Sequence, residues 1–75
     1  MIANTESARD AAAACRAYER AKGLYGDDEL KNVIVDLIAD LLHLAKQNGI
    51  DAQRCLLLAE DHYLCELMDE GVCGD

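Results

Sequence analysis

The pattern of apolar and polar positions between Asp28 and Asn48 (DELKNVIVDLIADLLHLAKQN) predicts a long, unusually apolar helix. At the angular step of an α-helix, Asn32, Asp36, Asp40, His43 and Gln47 align as one narrow polar stripe. Leu30, Val33, Ile34, Val35, Leu37, Ile38, Leu41, Leu42, Leu44 and Ala45 occupy roughly 200° of the remaining circumference, wider than the apolar stripe of an ordinary surface helix. Such a rod needs covering from two sides.

Two further helices flank it. The first is expected from about Ser7 to Lys22, opened by the S-x-x-D capping pattern of Ser7 and Asp10 (Asn4 or Thr5 being alternatives) and stopped by Gly23. Its inward face should be Ala11, Ala14, Cys15, Tyr18 and Ala21. These are mostly small side chains that bury little area, so this helix should pack lightly. Arg9, Arg16 and Arg20 align on its outer face, as a solvated row or a dock for acidic groups. In the connector GLYGD, Leu24 and Tyr25 should fold back on the core, with Asp27 or Asp28 capping the central helix. Asn48-Gly49 signals the end of that helix, and Asp51 the N-cap of the third, with Ile50 stapling onto Cys55. The third helix should run to about Glu70, with Gly71 as its stop. So short a turn makes the second and third helices an antiparallel hairpin. On the third helix Leu56, Leu57, Tyr63, Leu64, Leu67 and Met68 share an arc with Glu60 at its centre. The expected architecture is all-α: one three-helix domain, residues 1–75, with helices about 7–22, 28–48 and 51–70.

Composition sharpens this picture. The chain has no Pro, Trp or Phe and only three Tyr, so its core must be aliphatic. A core this small supplies little net stability, and chains of this length often gain the rest by oligomerising. Because the first helix is too slight to cover the central one, a homodimer is expected. The net charge is −8 and graded. Residues 1–25 hold four basic and three acidic side chains (+1), 26–50 two and five (−3), and 51–75 one and seven (−6). That gradient disfavours direct contact with nucleic acid and favours a protein partner with a basic surface. The N-terminus MIANTESARD shows no secretory pattern, and Asp36 and Asp40 interrupt the longest apolar run, so neither a membrane contact nor a membrane span is expected and a cytoplasmic location is. Cys15, Cys55, Cys65 and Cys73 contain no C-x-x-C pair and read as reduced thiols.

Candidate chemistry is sparse. Asp36, Asp40 and His43 share a helix face, but one helix alone rarely completes a metal site, and no metal is expected there. His62, Cys65 and Cys73 offer three zinc-type donors without a fourth or a knuckle spacing, which leaves a small metal or thiol sensor as an alternative function. His62 beside Cys65 lacks an oxyanion donor and a cleft, and there is no phosphate-binding loop, G-x-G-x-x-G or H-E-x-x-H. No enzyme and no cofactor are therefore expected.

The segments VIVDLIADLLHLAKQNGID and LLLAEDHYLCE, spanning Val33 to Glu66, resemble small helical proteins of phage and prophage origin with a D-L-I-A-D-L-L-H helix and a downstream A-x-x-H-Y helix. The resemblance implies a helical hairpin, a mobile-element origin and a non-catalytic role; it carries no site residues. Together these readings predict an acidic protein–protein interaction module: a phage-encoded regulator or inhibitor of host machinery, of the anti-CRISPR type. It would block a basic surface sterically and electrostatically with Asp36, Asp40, His43, Glu60, Asp61, Glu66, Asp69 and Glu70. The alternative is an accessory homodimer whose acidity only keeps it soluble.

Overall fold

A computed structural model describes residues 2–24 and 28–71, with side chains for 5–24 and 28–68. Three helices follow one another: α1 (Ile2–Lys22), α2 (Leu30–Gln47) and α3 (Ala52–Gly71). The fold is all-α, and no strand occurs among the described residues. Tyr25 and Asp27 of the connector, and Cys73, lie outside them.

The helix ends show which local signals act. Of the three predicted glycine stops, Gly71 is the last residue of α3, and the other two lie in the left-handed region, Gly23 at φ 77° and Gly49 at φ 72°. Each of these two closes a Schellman motif. Leu24 N–H donates to Glu19 C=O at 2.9 Å and Gly23 N–H to Arg20 C=O at 3.1 Å; Ile50 N–H donates to Ala45 C=O at 2.9 Å and Gly49 N–H to Lys46 C=O at 3.1 Å. Asp51 caps α3, its Oδ1 accepting from Arg54 N–H at 3.1 Å. Ile50, the residue before that cap, is exposed.

Two helix starts differ from expectation. α1 begins at Ile2, so Ser7 and Asp10 lie inside it and form no capping box. Nothing between Ile2 and Lys22 interrupts a helix, since the segment has neither Gly nor Pro, and a good local cap does not end a helix that can extend past it. α2 begins after Glu29, with no side-chain cap, while Asp28 sits outside as a bend. Its first hydrogen bond runs from Val33 N–H to Glu29 C=O at 3.1 Å.

α2 is the middle element, packing on α3 on one side and on α1 on the other. The three helices form an open layer measuring 41 × 30 × 15 Å. The radius of gyration is 14.2 Å, against about 11 Å for a compact domain of this length. Only Cys15 and Val33 are buried among the described residues. The accessible surface is 6067 Å², about 1,500 Å² more than a compact monomer of the same mass exposes. The exposed apolar side chains include Leu30, Ile34, Ile38, Leu41 and Leu44 on α2, and Leu56, Leu57, Tyr63, Leu64, Leu67 and Met68 on α3. The central rod is thus left partly bare by its own chain.

Candidate functional site

α1 meets α2 along a line other than the predicted one. Cys15 is buried and Tyr18 half-buried as expected, but Ala11, Ala14 and Ala21 are exposed, and Ala12 and Glu19 take the inward positions instead. The cause lies on α2. The helical register sets Val33, Leu37 and Asp40 on the side facing α1, so α1 turns Tyr18 and Lys22 towards a carboxylate rather than its alanines towards leucines. The polar stripe of α2 is therefore only partly a solvent face.

The result is a three-residue clasp. The Tyr18 hydroxyl donates to Asp40 Oδ2 at 2.5 Å. Lys22 Nζ pairs with the same oxygen at 3.1 Å. Lys22 Nζ also stands 5.6 Å from the centre of the Tyr18 ring, within cation–π range. The hydrogen bond from Tyr18, then that from Lys22, hold the Asp40 carboxyl below its usual range. The same bonds to Asp40 raise the Tyr18 hydroxyl and the Lys22 ammonium above theirs.

The signs follow from linkage. Asp40, lowered in the fold, stabilises above its unfolded value near about pH 4 and loses that contribution as pH falls through its lowered folded value. Tyr18 and Lys22, raised in the fold, contribute fully below their unfolded values near about pH 10 and lose the contribution as pH rises through the raised ones. The clasp is therefore expected to hold unchanged across the neutral range and to loosen at both extremes. Asp40→Asn should lower the Tyr18 titration towards that of free tyrosine and speed amide exchange over residues 12–22. A tyrosinate absorbance titration unaltered by the substitution would show that the clasp does not form in solution.

Beside the clasp lies a shallow groove of about 330 Å³ between α1 and α2, lined by Tyr18, Lys22, Leu24, Asp28, Asp36 and Asp40. A second groove of about 200 Å³ lies between α2 and α3, lined by Ile38, Leu41, Leu42, Cys55, Leu56 and Ala59. Positions 36, 39 and 40 fall on the opposite side of α2 from positions 38 and 41, so the first groove opens on a polar face of the layer and the second on an apolar one.

The predicted partner-binding residues divide accordingly. Asp40 is committed to α1. Asp36 and His43 are exposed on the polar side of α2. Glu60, Asp61 and Glu66 are exposed on α3. Asp69 and Glu70 belong to α3, but their side chains lie outside the described ones. Sequence reasoning missed Tyr18 and Lys22 as partners of Asp40; their spacing of four, which stacks hydroxyl and amine on one face of α1, was the available signal.

Among the described residues no three His, Cys, Asp or Glu side chains gather to hold a metal ion. Cys15, Cys55 and Cys65 are not in disulfides, the first being buried and the other two exposed. No helix among the described residues is long and apolar enough to cross a membrane. No family model, curated protein or solved structure is significantly similar to this chain.

Proposed function

We propose that this protein is a non-catalytic protein–protein interaction module that works as a homodimer in the cytoplasm and presents an acidic surface to a basic partner. One observation carries the reading: the protomer exposes about 1,500 Å² beyond what a compact chain of its mass would, and its exposed side chains include runs of Leu and Ile on two adjacent helices. That excess is close to twice the roughly 800 Å² each subunit contributes to a standard interface. A second copy would cover it; the two shallow grooves offer no enclosed space for small-molecule chemistry.

The charge of −8 supports the other half of the reading. With the apolar side closed, the surface left to a partner carries Asp36, Asp61 and Glu66, the last two on the most acidic helix. A phage-encoded regulator that blocks a basic groove of a host complex, as anti-CRISPR proteins do, is the narrower version of this role.

The two contacts should respond to salt with opposite signs. Two copies of charge −8 repel, so screening should tighten self-association as sodium chloride rises, while capture of a basic partner weakens. Sedimentation velocity across a salt and concentration series measures the first effect. A monomer at every salt and every concentration would end the homodimer reading.

A further inference from the structure

The face on which the second copy seats follows from α3. This helix turns Ala52, Cys55, Leu56 and Ala59 towards α2, small side chains apart from Leu56. Its larger apolar arc points elsewhere: Leu57 is 52% exposed, Leu64 48% and Met68 62%. Within that arc Leu57, Glu60, Leu64 and Leu67 are spaced by 3, 4 and 3 residues, the a and d spacing of a coiled-coil seam. Leu56 belongs both to this arc and to the α2–α3 groove, so the two form one continuous apolar surface.

We infer that a second copy lays its α3 antiparallel along this seam, with a two-fold axis crossing at the level of residue 62. The inference rests on the protein being a homodimer. In this register Leu57 meets the partner's Leu67, and Glu60 meets the partner's Leu64, so each a position faces a d position as an isologous contact requires. Charge selects the direction. The acidic positions 60, 61, 66, 69 and 70 come level with positions 64, 63, 58, 55 and 54 of the other helix, which are Leu, Tyr, Leu, Cys and Arg. No acid lies level with an acid, and the basic Arg54 comes level with the acidic end of the neighbouring helix. A parallel pairing would set every one of these acids beside its own copy and align the helix dipoles. α2 of each copy then flanks the α3 pair, giving a four-helix arrangement with α1 outside.

Glu60 is the one charged side chain in the seam, and it limits affinity while keeping the free protomer soluble. The test uses the full chain with Cys15→Ala and with Cys55, Cys65 and Cys73 replaced by Ser, after sedimentation has shown that this background associates as the native chain does. Chains carrying Leu57→Cys and chains carrying Leu67→Cys are mixed and mildly oxidised. The expected product is the mixed disulfide dimer, in excess over like-with-like dimers. Like-with-like products would mean a parallel seam. No product from a background that sediments as a dimer would place the interface elsewhere. Either result overturns the inference and leaves the homodimer standing, whereas a native chain that is monomeric throughout removes both. Glu60→Leu provides a gain that misfolding cannot imitate: the dimer should tighten by about tenfold or more. Leu64→Asp, at a site already exposed in the protomer, should give a helical monomer. An unchanged dissociation constant in both variants also overturns the seam.

Discussion

Val33→Asp is expected to unfold the protein. Val33 is 1% exposed, the lowest value among the described residues, and it sits where α2 faces α1. A domain of this length has a total stability of about 4 to 11 kcal/mol. With only Cys15 and Val33 buried, this chain belongs at the low end. An unpartnered carboxylate at that position must either ionise in an apolar setting or take up a proton, and the valine contacts vanish in both cases. The combined cost is at least about 4 kcal/mol, enough to empty the folded state. Val33→Ala keeps the site apolar and should cost only about 1 to 2 kcal/mol. Val35→Asp, two residues along on the same helix but 56% exposed, should change stability by no more than about 0.5 kcal/mol. Far-UV circular dichroism with urea titration separates the three. A cooperative transition for Val33→Asp with a native-like midpoint would mean that the contact between α1 and α2 does not hold the fold.

The contrast between Val33 and Val35 also shows what local sequence can and cannot specify. The stops at Gly23 and Gly49 and the cap at Asp51 were legible because each acts through residues within one turn. The hairpin was legible for the same reason, since four residues between α2 and α3 leave the chain no other route. The start of α1 was not, because several residues before Ser7 can also be helical and only the longer chain decides among them. The role of Asp40 was hidden more deeply. Its hydrogen-bond partner Tyr18 lies 22 residues away, and periodicity within α2 reports that a stripe is polar but not what it faces. The expected inward face of α1 was lined by alanines, whereas α1 presents Tyr18 and Lys22 to Asp40 and leaves Leu30, Leu41 and Leu44 of α2 exposed. The apolar excess was visible in the breadth of the Leu30–Ala45 arc, and its consequence survives the change in packing: the exposed Ile34, Ile38 and Leu41 are the residues that breadth singled out.

Thermal stability is expected to rise with protein concentration. If unfolding and dissociation are one event, the folded dimer is in equilibrium with two unfolded chains, and mass action favours the dimer as the total increases. Each tenfold rise adds about 1.4 kcal/mol to the apparent stability. Divided by the unfolding entropy of two 75-residue chains, that corresponds to a Tm increase of about 4 to 5 °C for each tenfold rise. Over a thousandfold range the shift exceeds about 10 °C, well beyond ordinary error in a melting curve followed by circular dichroism. A protomer that did not associate would melt at one temperature throughout, because nothing in its unfolding would depend on a second molecule. Leu64→Asp should remove the slope together with the dimer, while Asp40→Asn, at the edge joining α1 to α2, should lower the curve and leave its slope intact. A flat Tm for the native chain over that range would show that the apolar faces of α2 and α3 are tolerated by water, and that the open layer is complete without a companion.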